Sequence, residues 1–144
     1  MIRFRLAFFL IVLVMVTHIF VLVAGVYSQM PWFDVPMHFF GGYVIALLGL
    51  ACYGWLQNFV EIKSKSMQKL SIFTPMIIEF VFVVGFVMTV GVAWEWYEFL
   101  FDQFVGFFVE NFGVAQISLA DTMDDLFNDF VGGVTAWMLW RSRK

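Results

Sequence analysis

Long apolar runs alternate with short polar breaks along this chain, and the run lengths set its reading. Leu6 to Val26 is nearly unbroken apolar sequence. Val35 to Leu56 follows, opened by Asp34 and Pro36, with His38 the strongly polar interruption. A third run extends from about Pro75 to Phe101 and a fourth from about Asp121 to Trp140. At 1.5 Å per residue, about 20 helical residues cover the roughly 30 Å hydrocarbon core of a bilayer. The pattern predicts an all-α fold, an integral membrane bundle of four transmembrane helices at 6–26, 35–56, 75–101 and 121–140. These form one domain over residues 1–144, joined by a polar loop at 57–71 and an outer loop at 103–120. The fourth run is the least typical. Its apolar part starts near Leu126 and is broken by Asn128 and Asp129, so hydropathy alone passes it over.

Composition agrees with the pattern. The chain is 62% hydrophobic and 13% charged, against about 45–50% and 25% for soluble domains. Arg3 and Arg5 before Leu6 resemble the start of a signal peptide, but the apolar stretch is longer than an h-region and no A-x-A site follows. It reads as a retained helix. Cys52 is the single cysteine, so no internal disulfide forms. No basic–aromatic interleaving supports nucleic-acid binding.

The basic residues orient the bundle. Arg3, Arg5, Lys63, Lys65, Lys69, Arg141, Arg143 and Lys144 occupy the N-terminus, the 57–71 loop and the C-terminus. With four spans these lie on one side, which the positive-inside rule makes cytoplasmic, both termini included. The expected location is the inner or plasma membrane, multi-pass. Trp32, Trp94 and Trp96 then fall at the outer boundary, and Trp55, Trp137 and Trp140 at the inner one. The loop 103–120, with Phe104, Phe107 and Phe108, is too apolar for a solvated linker and is expected in the interface.

The acidic residues take the opposite side. Only Glu61 and Glu79 belong to the cytoplasmic half; Glu79 is expected to snorkel or to meet a basic loop residue. Asp34, Glu95, Glu98, Asp102, Glu110, Asp121, Asp124, Asp125 and Asp129 all fall in the outer half, where the chain has no Lys or Arg. Asp34 and His38 are four apart and share a helix face. Glu95, Glu98 and Asp102 line one face of the third helix. Asp121, Asp125 and Asp129 form a stripe that Gly132 continues, flanked by Asp124 and Asn128. Asp34 is either an N-cap or a site residue, and Asp121 and Asp124 are either first-turn acids or site residues. Asp102 and Glu110 read as solvated loop charges.

Other positions resist the simpler reading. Glu95 and Glu98 sit near a helix C-terminus, where the dipole disfavours anions. Asp129 lies about 12 Å along the axis from Asp121, too deep for a cap. An ionisable group at that depth costs roughly 2.5–3.5 kcal/mol and generally faces the bundle interior. Clustered carboxylates need compensation: a divalent cation, shared protons or a wet cavity. The candidate metal ligands are Glu95, Glu98, Asp125, Asp129 and His38, with Asp34, Asp121, Asp124 and Asn128 around them or on a substrate. Such oxygen-rich donors with one imidazole suit Mg²⁺, Mn²⁺ or Ca²⁺, with Zn²⁺ or Fe²⁺ also open. His18 reads as a hydrogen-bonded interior histidine. Gly42, Ala46 and Gly49, and Gly132 with Gly133, allow close helix approach.

Three motifs carry a family resemblance: Asp34-Val-Pro-Met-His38-Phe39, Glu95-Trp-Tyr-Glu98, and Asp121-x-x-x-Asp125-x-x-x-Asp129-x-x-Gly132. In order and approximate spacing they resemble VanZ-like and YjdF-like small membrane proteins. Glu98 stands where the VanZ-like pattern has Gln, and Asp129 where an Asn is usual. The Asp121-Thr122 pair matches the YjdF-like pattern. The resemblance implies a multi-span bacterial or archaeal membrane protein with an outward-facing polar cluster. VanZ-like members are associated with resistance to teicoplanin-type glycopeptides, which is not carried over to this chain.

Three functions stay open from the sequence. One is a metal-dependent enzyme acting on a lipid or lipid-linked substrate. The second is a proton- or cation-coupled carrier, which at four spans would need a homo-oligomer. The third is a non-enzymatic accessory protein. The lipid bilayer is a partner in all three.

Overall fold

Glycines and alanines at helix contacts let backbones approach closely, and this chain places them where its helices cross. The computed structural model describes residues 4–59, 73–104 and 118–143. Among them the elements are α1 (Phe4–Val23), the single turn α2 (Val26–Gln29), a 3-10 turn (Pro31–Phe33), α3 (Asp34–Phe59), α4 (Phe73–Phe104) and α5 (Leu119–Arg141). They form an all-α membrane bundle built on four long helices. Most of the expected loops 57–71 and 103–120, with Glu61, Lys63, Lys65, Lys69 and Glu110, lie outside the described residues.

The first helix ends earlier than the expected Val26. Gly25 adopts φ 65°, a left-handed conformation that a side chain disfavours. Its N–H donates to the Leu22 carbonyl at 3.1 Å, closing α1. The chain then makes α2 and the 3-10 turn before entering α3, so the link between the first two long helices is itself hydrogen-bonded. The Met30 N–H donates to the Val26 carbonyl (2.7 Å) and the Phe33 N–H to the Met30 carbonyl (3.0 Å).

α3 is the centre of the bundle. It packs against α1, α4 and, most extensively, α5. A Cβ on Gly42 would collide with the Asp129 backbone carbonyl, and one on Gly132 with the Phe39 carbonyl. These two glycines let α3 and α5 touch backbone to backbone. Below them Ala46, Leu50, Val83, Val87 and Ala136 form the core, flanked by Tyr43, Phe82 and Trp137. Gly49 meets the Phe86 ring and Gly133 the Val87 methyls, both on α4.

α1, α3 with its leading turn, and α4 are long and apolar enough to cross a membrane. α5 is not among these three, because its first half carries Asp121, Asp124, Asp125 and Asp129. At 23 residues it is nevertheless about 34 Å long. Near its start it meets the beginning of α3. At its end Arg141 meets the beginning of α4, with its Nη1 donating to Glu79 Oε1 at 3.3 Å. Glu79 is buried and meets Arg141 of the C-terminal helix; the loop residues expected beside it lie outside the described residues.

The outward faces of the helices are apolar. Phe8, Phe9, Val16 and Phe20 of α1 are all exposed. Leaving such side chains in water would forfeit about 1.5–3 kcal/mol each, and lipid removes that cost.

Candidate functional site

The start of α3, the end of α4 and the start of α5 meet at one end of the bundle. His38, one turn into α3, stands at their junction. Its Nε2 faces Asp34 Oδ1 at 3.7 Å and Asp125 Oδ1 at 3.6 Å, and its Nδ1 faces Asp129 Oδ2 at 3.6 Å. Glu95 and Glu98 complete the cluster from α4. His38, Glu95, Glu98, Asp125 and Asp129 are all buried, between 3% and 6% exposed. Charged residues are rarely buried without compensation.

Local structure explains who takes part. Asp34 has helical dihedrals (φ −65°, ψ −42°), whereas an N-cap residue is non-helical. Its carboxylate turns to His38. Ser118 caps α5 instead: its backbone is extended and its Oγ accepts from the Asp121 N–H at 3.2 Å. Asp121 is then a first-turn acid, half-buried at the edge of the cluster. Asp125 and Asp129 lie one and two turns deeper, facing His38.

Asp124 and Asn128 are not brought in. Asp124 is exposed. The Asn128 Nδ2 donates to the Asp124 carbonyl at 2.8 Å, along the helix's own surface. Asp102 is half-buried near the end of α4.

Asp129 needs space that glycines supply. A Cβ on Gly91 would lie 2.6 Å from Asp129 Oδ2, and one on Gly41 3.6 Å from Oδ1. The carboxylate thus fits between α3 and α4 because Gly91 has no side chain, while the distance at Gly41 is an ordinary contact.

Several participants carried no sequence signal of their own. The Trp94 indole N–H donates to Glu98 Oε1 at 2.9 Å, which makes Trp94 a partner of the cluster. Its spacing of four from Glu98 was the available clue. Tyr27, on α2, reaches back to His18: its hydroxyl lies 2.9 Å from His18 Nδ1. The His18 ring meets Trp94 edge-on at 5.0 Å. His18 is therefore the hydrogen-bonded interior histidine expected, with Tyr27 as its partner. Burial, followed by the charges of Asp34, Glu98 and Asp125, holds the Tyr27 hydroxyl above the usual phenol range.

The donor geometry fits a cation. Ligand atoms of Asp34, His38 and Asp125 lie within 4.8 Å of one another, as do those of His38, Glu95 and Glu98. Two atoms about 2.1 Å from a shared ion sit about 3.0 Å apart when cis and about 4.2 Å when trans. The 3.6–3.7 Å separations lie between those two values, nearer the roughly 3.4 Å of a tetrahedral arrangement. Asp129, expected as a ligand, belongs to neither grouping and lies on the other ring nitrogen. That is where metal-binding histidines commonly meet an orienting carboxylate.

Fold and site together define an α-helical membrane protein with a buried His–carboxylate cluster at one end of its bundle. The chain belongs to the family described as a predicted membrane protein (DUF2238), whose model matches residues 3–144. No curated protein and no solved structure matches it.

Proposed function

We propose that this is a multi-pass cell-membrane protein with both termini cytoplasmic. In this reading its outward-facing cluster binds a divalent cation and serves chemistry on a lipid or lipid-linked substrate. The observation that carries the reading is the convergence of four carboxylates from three helices on the donor atoms of His38, with a fifth oriented against its Nδ1. Kinship with VanZ-like and YjdF-like proteins is part of the proposal. Its support is that the three motifs shared with them meet at this one place.

Asp34, Asp125, Glu95, Glu98 and His38 Nε2 are the candidate ligands, and Asp129 fixes the imidazole. A bound divalent cation would supply Lewis-acid polarisation of a substrate oxygen. The protein's own part is to hold the carboxylates in a fixed frame around His38 and to keep Trp94 on Glu98. α5 crosses the membrane in this reading because it runs from the cluster to Glu79, the full height of the bundle.

A second reading has an observation of its own. Both ring nitrogens of His38 face carboxylates, as in an imidazolium that shares protons with them. That arrangement serves a proton-coupled carrier or a structural staple.

Elemental analysis of protein purified in mild detergent separates the two. One divalent ion per chain, falling below a tenth in folded Glu95→Gln and Asp125→Asn variants, supports the cation site. No bound metal after incubation with Mg²⁺, Mn²⁺, Ca²⁺ or Zn²⁺ overturns it and leaves proton sharing.

A further inference from the structure

A cavity of about 230 Å³ opens directly off the cluster. It lies between α1, α3 and α4. α1 packs on α3 but, among the described residues, makes no extensive contact with α4, and the cavity fills the resulting gap. One end carries His18, His38, Trp94 and Asp129. The rest is walled by apolar side chains, among them Ile11, Val14, Ile45, Val87 and Val90. Polar groups at one end and hydrocarbon along the remainder match an amphiphile's own division. A cavity of roughly 150 Å³ accommodates a six-carbon ring, so this one holds about nine carbons of a chain.

We infer that this cavity is the chain-binding half of the site. It takes a single alkyl or prenyl chain of an amphiphile whose oxygen-bearing head lies at the His38–Asp129 end. The inference deepens the cation-site reading and rests on it for the position of the head. A two-chain lipid does not fit as a whole, since a volume of about 230 Å³ is filled by part of one chain. The head group needs donor oxygens because the cluster offers it a cation or protons, with no Lys or Arg between residues 70 and 140. Access is sideways from the bilayer, past Met15, which lines the cavity and is exposed on α1.

The test uses the full chain in phosphatidylcholine nanodiscs and a 16-carbon alcohol carrying a mid-chain diazirine. After illumination, labelled peptides are mapped and bound metal is measured on the same samples. The expected result is labelling concentrated on Val14, Ile45 and Val90, reduced at least five-fold by excess decanol and unaffected by ethanol. Val90→Trp, and independently Ile45→Phe, should cut labelling at least five-fold while metal content and thermal stability hold. Labelling spread over the outward residues Phe8, Phe9 and Phe20, indifferent to decanol and to both variants, means annular lipid alone and overturns the inference while leaving the cation site intact. Cavity labelling in protein that holds no metal sustains the chain site and removes the cation reading.

Discussion

The two ends of the bundle bury charge in opposite ways. At the basic end one carboxylate, Glu79, meets one guanidinium, Arg141, at 3.3 Å, and Arg141 also lies over the Trp137 ring at 5.6 Å. There a carboxylate has an opposite charge beside it, supplied by the chain itself. At the other end Asp34, Glu95, Glu98, Asp125 and Asp129 surround one imidazole. Charge of one sign gathered in low dielectric is held only with compensation, from an ion, shared protons or water. The first arrangement is what a structural pair in a membrane looks like. The second is what a site looks like, and the contrast between them carries more weight than either cluster alone.

The comparison breaks most severely where the fold and the site share atoms. Gly42→Leu drives a side chain into the Asp129 backbone and forces α3 and α5 apart. Overpacking costs about 1–3 kcal/mol in ordinary cores, and here neither backbone can yield. Thermal unfolding should drop by about 10 °C and metal content should fall with it. Gly54→Ala and Gly85→Ala, where an added Cβ meets nothing within 4 Å, should leave both unchanged or raise stability slightly. A Gly42→Leu protein as stable as the parent would mean the helices do not meet as described.

Next in size is the basic end. Arg141→Gln leaves Glu79 buried beside a neutral amide. Removing one member of a buried pair costs about 3–5 kcal/mol. Arg141 is about a third exposed (32%), and solvent screening brings the expectation down to about 1–2 kcal/mol. Chemical or thermal unfolding of Arg141→Gln against Glu79→Gln/Arg141→Gln should show the double variant recovering part of the loss. Metal content should stay at the parental value in both. Loss of metal from either would show that the ends are coupled, and the comparison would fail.

Gly91→Ala sharpens the distinction at the site itself. It presses on the Asp129 carboxylate and leaves the proposed ligands alone. Disturbing the group that orients a ligand weakens metal binding about 10–100-fold, so titration should show a loss in that range with little change in melting temperature. Trp94→Phe, which removes the N–H donated to Glu98, should give an effect at the low end of it. The smallest effect is expected from Tyr27→Phe. It deletes one hydrogen bond to His18, costs about 0.5–1.5 kcal/mol, and should spare cation binding. Lowering the pH should weaken cation binding throughout the series, since carboxylates and imidazole bind metal only when deprotonated.

Much of the bundle was legible from run lengths, because a bilayer imposes one length on every crossing helix. The acidic stripe was legible too. Residues four apart share a face, and Asp121, Asp125 and Asp129 converge as that rule demands. Asp124 and Asn128 were harder, since each is one residue off the stripe and the spacing alone does not say how wide the site is. Which helix surfaces touch is settled by contacts far apart in sequence, so the fit of Gly42 against Asp129 and of Gly91 around its carboxylate had no local trace. Tyr27 joins His18 only because Gly25 turns left-handed and reverses the chain. The cavity depends on how far α1 stands from α4, a distance that no periodicity encodes.

The close approach of α3 and α5 also bears on how the protein is made. α5 carries four aspartates in its first eleven residues, too many for that segment to leave the translocation channel for lipid on its own merit. With Gly42 and Gly132 in place, α3 offers a surface that receives Asp125 and Asp129. If α5 crosses the membrane as proposed, its insertion is a docking event, templated by a helix synthesised earlier in the chain. A glycosylation reporter fused after Lys144 reads this directly. The native chain should keep the reporter cytoplasmic and unmodified, and the Gly42→Leu chain should let it through.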